Sequence, residues 1–154
     1  MLLVISRVKN ASVDVDGERI SEIGHGLLIV AGVMEGDTVD DAEWLAHKAA
    51  NMRIFEDEDG KLNRSVLDVG GSALVVSNFT LAADCRRGNR PSFSAAMEPE
   101  AANDLYLKFC DLMRAEGLTV ETGRFRADMK VGSLGDGPIN IVLDSEVRKS
   151  PRKD

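Results

Sequence analysis

The sequence predicts a mixed α/β or α+β domain, and three observations lead to that prediction. Apolar runs rich in Val and Ile are short and numerous, as is typical of strands. Two longer segments repeat apolar residues at helical spacing, and each lies between strand-like runs. The 154 residues contain no repeat and no linker. We therefore expect a single domain over residues 1–145.

The strand-like runs begin at the N-terminus. Residues 2–15 alternate loosely and predict a strand that breaks near Lys9, and Asp16-Gly17 then turns the chain into a second strand at 18–23. The run 27–33 is continuously apolar, which indicates a central strand covered on both faces. Further strands are predicted at 73–76, 118–122 and 139–143, and an extended or irregular segment is predicted at 125–134.

Two helices are predicted between these strands. The first begins at 36–38, where Asp37 or Thr38 can cap it, and runs to about residue 52. The second covers 98–116, with Pro99 in its first turn and Gly117 as its stop signal. The acidic run 56–60 is expected to be an exposed turn, and the charged tail 146–154 is expected to be disordered.

Composition and charge exclude several classes of protein. The net charge of −7 argues against wrapping of DNA or long RNA, although a small contact with an RNA end needs few basic residues. The N-terminal apolar run is too short for a signal peptide or a membrane helix, which predicts a cytoplasmic protein without a membrane partner. The two cysteines, Cys85 and Cys110, form no CxxC and are expected to be reduced. No cluster of residues has metal-ligand spacing, so neither a metal nor a cofactor is predicted.

The first candidate site is the motif Ser77-Asn78-Phe79-Thr80-Leu81. It follows a buried strand and precedes a basic loop, and a strand fixes the root of such a loop. The alternative is a strand end at which Ser77 and Thr80 cap their own backbone. A hydroxyl nucleophile needs a base within reach, and none lies nearby in the sequence. We therefore assign Thr80 to positioning and Ser77 to bracing.

The second candidate site is the motif Gly137-Pro138-Ile139-Asn140, about sixty residues later and just before the last apolar run. Gly-Pro after Asp-Gly indicates a turn, and an X-Pro bond is the one place where a cis peptide costs little. Together with Arg7 and most of the chain up to residue 145, the two motifs resemble the bacterial-type D-aminoacyl-tRNA deacylases, the D-tyrosyl-tRNA deacylase family. That family carries Ser-Gln-Phe-Thr-Leu and Gly-Pro-Val-Thr at the same spacing.

The resemblance implies a fold, a reaction and an assembly. The fold is a curved, barrel-like mixed sheet with two main helices packed outside it. The reaction is hydrolysis of the ester between a D-amino acid and the terminal adenosine at the 3′ end of tRNA, and of glycine mischarged on tRNA-Ala. The assembly is a homodimer, and no cofactor is needed.

The resemblance also implies roles for the site residues. The backbone N–H groups of Phe79 and Thr80 would stabilise the oxyanion, while the 2′-hydroxyl of the substrate assists the water. The Gly137-Pro138 bond would be cis and would enter the active site of the partner, where its carbonyls bind the substrate amino group and leave no room for an L side chain. Arg7 would brace this loop. The basic residues that are candidates for contacting tRNA are Arg86, Arg87 and Arg90.

The sequence departs from the family pattern at two positions, and it is compatible with two rival functions. Asn78 replaces the family's Gln and Asn140 replaces its Thr, which leaves the position of the loop and its stringency against L and glycyl substrates open. One rival is an esterase or amidase that uses Ser77 or Thr80 on small substrates. The other is a non-catalytic, dimeric RNA-binding protein that leaves the ester intact.

Overall fold

Strand β1 (Leu2–Val15) runs through the middle of the sheet and pairs with three other strands. The computed structural model describes residues 1–152. Along one edge, β1 pairs with β8 (Lys130–Asp144). Along the other edge, its first half pairs with β3 (Gly26–Gly32) and its second half with β2 (Glu18–Ile23). All three pairings are antiparallel.

The remaining elements extend and cover this sheet. Strand β3 pairs in parallel with β6 (Ser72–Ser77), and β6 pairs in parallel with β7 (Thr119–Thr122). The other elements are α1 (Val39–Asn51), the small hairpin of β4 (Phe55–Glu56) and β5 (Leu62–Arg64), and α2 (Pro99–Ala115). The result is a mixed α+β fold with a nearly closed, barrel-like sheet and two outer helices, which confirms the predicted fold class.

Two apolar cores lie on the two sides of the sheet. The larger core fills the space between the sheet and the helices, and its members include Leu3, Ile29, Leu45, Tyr106 and Phe109. The smaller core lies inside the curl of the sheet and includes Val8, Val13, Leu28, Leu74 and Val76. Alternate residues of β6 therefore enter different cores, which explains why its sequence is apolar without interruption.

The start of β1, the start of α1 and the segment after β8 meet in a buried ionic cluster. The Met1 ammonium donates hydrogen bonds to Asp37 at 2.6 Å and to Ser145 Oγ at 2.7 Å. Arg148, in the 3₁₀ turn Ser145–Lys149, donates to Asp41 at 3.2 Å. This ordered turn differs from the disordered tail that was predicted from residue 146. The turn is ordered because Arg148 pairs with the buried carboxylate of Asp41. Residues 153–154 of that tail lie outside the described part of the chain.

Two strand predictions also differ from the structure. Strand β1 does not break near Lys9; its pairing with β8 shifts register instead, between Val8 and Asn10. Strand β8 begins at Lys130 and not at Ile139, so it includes much of the segment that was expected to be irregular. Within residues 1–152, no helix is long and apolar enough to cross a bilayer.

Candidate active site

The first motif lies where β6 leaves the sheet. Ser77 is the last residue of β6, and the Asn78 N–H still donates to Ala31 O at 2.8 Å, so the exit of the chain is tied to β3. A short 3₁₀ turn, Phe79–Ala82, then folds over Gly32. A Cβ atom on Gly32 would approach Leu81 Cβ to 2.8 Å, which is closer than side chains tolerate. The absence of a side chain at Gly32 therefore lets the turn pack against the sheet.

The side chain of Asn78 caps this turn. Asn78 Oδ1 accepts a hydrogen bond from the Thr80 N–H at 3.0 Å and another from Thr80 Oγ1 at 2.5 Å. The hydroxyl proton of Thr80 is therefore directed at an amide oxygen, which is not a base that could activate a nucleophile. The Thr80 N–H, expected to face the substrate carbonyl, is bonded to Asn78 in this structure. Within residues 1–152 no hydrogen bond engages the Phe79 N–H, which leaves it as the available oxyanion donor.

A pocket of about 790 Å³ opens beside the turn. Its apolar wall includes Phe79, which is 60% exposed, and Phe93, whose ring meets that of Phe79 edge to face at 5.1 Å. Met97, Pro99 and Phe125 also line this wall. A pocket of this size and composition is typical of a small-molecule or cofactor-sized ligand, and exposed aromatic faces can stack on a planar base.

Both carboxylates that line the pocket already have partners: Asp128 accepts hydrogen bonds from Lys130 Nζ at 3.1 and 3.3 Å, and Glu98 caps a helix. The two oxygens of Glu98 accept hydrogen bonds from the N–H groups of Glu100 and Ala101 at 3.0 and 3.1 Å, and these bonds lower the pKa of Glu98. Glu98 thus caps α2 as an anion. Arg126 and Asp128 also line the pocket, and Arg126 adopts a left-handed conformation with φ 65°. No His or Cys is among the described residues that line it.

The basic loop next to the motif is exposed from residue 85 to residue 91, but one of its three arginines is already paired. The Arg86 side chain forms a bidentate ion pair with Asp84, with Nη2 to Oδ2 at 2.6 Å, and this pairing lowers the pKa of Asp84 to about 2. Arg87 and Arg90 form no ion pair within residues 1–152. Their charges are therefore more available to an anionic partner than the charge of Arg86.

The second motif forms a bulge in β8 opposite Arg7. Ser6 faces Asn140 and Val8 faces Gly135, so residues 136–139 lie opposite a single residue of β1. Within this loop the Gly137-Pro138 peptide bond is cis. Both Gly137 and Pro138 are exposed.

Two residues of β1 contact the ends of this loop. Arg7 is 7% exposed, and its Nε donates to Asp136 O at 2.9 Å while Nη1 donates to Ile54 O at 2.9 Å. Ser6 Oγ donates to Asn140 Oδ1 at 2.7 Å. The loop is therefore attached to β1 on both sides of Gly137-Pro138.

The two motifs are far apart within one chain. Ser77 pairs with Ala31 and Ala31 pairs with Leu3, whereas the loop lies beside Arg7 on the far edge of β1. Three strand spacings and four residues along β1 correspond to about 14 Å across the sheet and about 13 Å along it. None of residues 136–140 lines the pocket. A single chain therefore does not bring its two motifs into one site.

Sequence reasoning did not single out several residues that form the pocket. Phe93, Phe125 and Arg126 come from segments without a periodic pattern. Ser6, which contacts Asn140 and not the pocket, was also not singled out, because it looks like an ordinary strand residue. One signal in the sequence could have indicated Phe93. It follows the basic loop directly and stands between two serines, outside any predicted strand or helix, where an aromatic residue is not needed for the core.

An acidic cluster elsewhere has an ordinary structural explanation. Oxygen atoms of Asp37, Asp41 and Glu146 lie within 4.8 Å of one another. Asp37 is paired with the Met1 ammonium and Asp41 with Arg148. The Met1 ammonium and the Arg148 guanidinium thus already balance the negative charge of these two carboxylates, so a metal ion is not needed to explain the cluster.

Comparisons with known proteins agree with the sequence motifs. A family model described as D-Tyr-tRNA(Tyr) deacylase matches residues 4–144. A D-aminoacyl-tRNA deacylase of Thermomicrobium roseum is 57% identical over 145 residues, covering 94% of both chains. A D-aminoacyl-tRNA deacylase of Paracoccus denitrificans is 55% identical over 148 residues, covering 96% of this chain and 99% of its own.

Two solved structures share the fold. One is titled c-Myc DNA Unwinding Element Binding Protein; it has a TM-score of 0.88 at 39% identity and covers 99% of this chain and 100% of its own. The other is a probable eukaryotic D-amino acid tRNA deacylase, with a TM-score of 0.79 at 13% identity. The match covers 92% of this chain and 97% of the other. At 13% identity, the second likeness concerns the fold alone.

The fold, the pocket at the end of β6 and these matches define a hydrolase that acts on ester bonds. More narrowly, the chain belongs to the D-aminoacyl-tRNA deacylase family, which confirms the resemblance predicted from the two motifs. The roles of the individual site residues stay predictions.

Proposed function

We propose that this deacylase is a cytoplasmic chiral proofreading enzyme that works as a homodimer. It hydrolyses D-aminoacyl-tRNA, and glycine mischarged on tRNA-Ala, to free amino acid and tRNA, and it spares L-aminoacyl-tRNA. The observation that carries this proposal is the separation of the two motifs within one chain. A loop that cannot reach its own pocket can complete the pocket of a second copy.

The pocket accommodates the 3′ end of the substrate. Its aromatic wall offers Phe79, Phe93 and Phe125 as faces for the terminal adenine, and the adjacent Phe79 N–H is available to the oxyanion that forms at the ester carbon. An aminoacyl ester is reactive, so that holding it next to a water assisted by the substrate's own 2′-hydroxyl is sufficient. This chemistry needs no side-chain base, in keeping with a pocket whose one glutamate caps a helix.

An unpartnered apolar face of the sheet supports the homodimer. Val142, Val4, Val30 and Val76 lie in register across β8, β1, β3 and β6, on the face that the helices do not cover. Val142 is 64% exposed, whereas Val76, at the other end of the row, is buried. Pairing this face with its symmetry mate would bury Val142 and the half-buried Val4 and Val30 in an isologous contact.

The loop supplies selectivity through exclusion. In the assembled site, the backbone of Gly137-Pro138 from the partner would receive the substrate amino group and occupy the space that an L side chain needs. A D side chain points elsewhere, and glycine has none. Arg87 and Arg90 lie on the loop beside the pocket, where they can contact phosphates near the 3′ end.

A deacylation time course tests this function. One tRNA is charged with D-tyrosine or L-tyrosine, and tRNA-Ala is charged with glycine. We expect rapid loss of the D and glycyl esters and a stable L ester. Equal loss of D and L would refute chiral selection, and binding without loss of any ester would indicate the RNA-binding protein.

The dimer is tested separately. Val142→Glu places a charge in the proposed interface, while Leu107→Glu places the same charge on an exposed apolar position of α2. We expect Val142→Glu alone to yield monomers by sedimentation and to lose deacylation. A fully active Val142→Glu monomer would show that each chain carries a complete site.

A small-substrate esterase is the weaker candidate. The hydroxyl of Thr80 donates to Asn78 and has no base beside it. Hydrolysis of a D-tyrosine ethyl ester at the rate of the tRNA substrate would favour it.

A further inference from the structure

Ser6 and Arg7 are consecutive residues of β1 that contact opposite ends of the same loop. Arg7 bonds to Asp136 O before Gly137-Pro138, and Ser6 bonds to the Asn140 side chain after it. Successive residues of a strand point to opposite faces of a sheet. Arg7 accordingly reaches into the helix side, towards Ile54, while Ser6 and Asn140 lie on the valine face described above.

We propose that Ser6 is a second positioning residue for the Gly137-Pro138 loop, acting through its hydrogen bond to Asn140. The pair would set how strongly the enzyme discriminates between D- and L-aminoacyl-tRNA. The inference rests on the proposed function, in which this loop excludes L side chains from the site of the partner.

The geometry explains why the second attachment matters. The bond from Arg7 holds only the Asp136 end, and Asn140 is the first residue after the loop to face β1 again. Between these points, the chain turns so tightly that a Cβ atom on Gly137 would lie 2.2 Å from Ile139 N. The position of Ile139 and Pro138 is therefore coupled to that of Asn140.

The chemistry of the pair is specific to these two side chains. The Ser6 hydroxyl donates to Asn140 Oδ1 at 2.7 Å, which fixes the orientation of the amide and of the residue that carries it. Asn140 is the position at which this chain departs from the Thr of the family motif. We infer that a hydroxyl at Ser6, within reach of a longer amide, lets this chain keep the loop attached despite the exchange.

The expected effect is moderate and concerns selectivity. A neutral hydrogen bond at a partly exposed position corresponds to a change of roughly two- to tenfold. A shift of the loop by less than 1 Å opens space for an L side chain and loosens the grip on the amino group of the D substrate. The ratio of kcat/KM for D over L substrates should therefore fall by about that factor, with little change in the unfolding midpoint.

The test compares three replacements with a matched control. Ser6→Ala removes the donor, Ser6→Thr keeps a hydroxyl and suits a strand, and Asn140→Ala removes the acceptor. The control is Ser12→Ala, since Ser12 is a half-buried serine of the same strand that faces Gly132 of β8, away from the loop. Each variant is assayed on D- and L-tyrosyl-tRNA, and its urea midpoint is measured.

We expect Ser6→Ala and Asn140→Ala each to lower the D-to-L ratio, and Ser6→Thr and Ser12→Ala to keep it. The double replacement should lower the ratio no further than either single one, because both remove the same bond. Parallel loss of D and L activity at an unchanged ratio would overturn the proposal, as would additive effects.

The failure of this proposal is distinguishable from the failure of the proposed function. A selective wild-type enzyme whose ratio survives Ser6→Ala and Asn140→Ala refutes the role of Ser6 alone. A wild-type enzyme that does not distinguish D from L refutes both.

Discussion

Replacing Arg7 by methionine is expected to lower both the stability of the fold and the selectivity of the enzyme. The guanidinium donates to two carbonyl oxygens that belong to separate segments, Ile54 and Asp136, each at 2.9 Å. Methionine fills similar volume but donates nothing, so both oxygens lose a charged donor. The two segments then lose the connection that runs between them through β1.

The magnitude follows from the burial of the two acceptors. Ile54 is 6% exposed, so its lost bond to a charged donor costs about 1.5–3 kcal/mol. The Asp136 side chain is 28% exposed, and its backbone oxygen can recover water, which limits that loss to about 1 kcal/mol. We expect Arg7→Met to lower the free energy of unfolding by about 2.5–4 kcal/mol. Arg7→Lys keeps one donor and should cost about 2 kcal/mol.

The loss of stability is measured by urea unfolding, followed by the fluorescence of Trp44, the single tryptophan of the chain. The loss of selectivity is measured by deacylation time courses on D- and L-tyrosyl-tRNA under native conditions. Arg53→Met is the matched control, because Arg53 is exposed, adjoins Ile54 and, among residues 1–152, bonds only to the side chain of Asn63, at 3.2 Å. It should change stability by less than about 0.5 kcal/mol.

Two results would contradict this reasoning. If Arg7→Met unfolds within about 0.5 kcal/mol of the wild type, the two bonds of Arg7 contribute far less than charged hydrogen bonds usually do. If stability falls while the D-to-L ratio is unchanged, Arg7 supports the fold but does not position the loop.

Three further predictions concern other sites. Burial raises the pKa of Asp41, but hydrogen bonds from Thr38, Ser145 and Arg148 outweigh it and lower the pKa from 3.8 to about 2. Asp41→Asn should therefore cost about 2 kcal/mol in urea titrations at pH 7, and the difference from wild type should vanish as pH falls from about 4 to 2. A difference independent of pH would contradict this. Tyr106→Phe should cost only about 1 kcal/mol by the same method, because Val75 O keeps its second donor, the Gly123 N–H at 3.2 Å. Thr80→Ala should retain measurable deacylation in single-turnover assays, and complete loss with an intact fold would indicate a hydroxyl nucleophile.

Local sequence signals predicted the helices better than the strands β1 and β8. Helix α2 was expected at 98–116 and is observed at Pro99–Ala115, because proline and glycine mark its ends in the sequence itself. The start of β8 carries Gly132 and Gly135 and is exposed from residue 130 to residue 135, so it lacks the alternation of buried and exposed residues that identifies a strand. Only its long partner, β1, makes this segment a strand.

Long-range pairs were outside the reach of the sequence. Arg148 and Asp41 are separated by 107 residues, and nothing local distinguishes Arg148 from a solvated tail residue. The motifs identified the two parts of the candidate site but not their distance, since register across β6, β3, β1 and β8 exists only in the folded sheet. The hydrogen bonds that Thr80 donates to Asn78 Oδ1 were not predicted, because the family motif carries the longer Gln at this position.

The distance between the motifs has a genetic consequence in the proposed homodimer. Each active site would contain parts of two subunits. One subunit would supply the pocket in which the ester is hydrolysed, and the other would supply the loop that excludes L side chains. A chain with a damaged loop and a chain with a damaged pocket would then complement each other, restoring one working centre in every mixed pair. With random assortment, about one quarter of all centres would be intact, whereas neither parent alone would have any. The selectivity for D-aminoacyl-tRNA would thus depend on which chains pair, and on a chain concentration high enough for dimers to form.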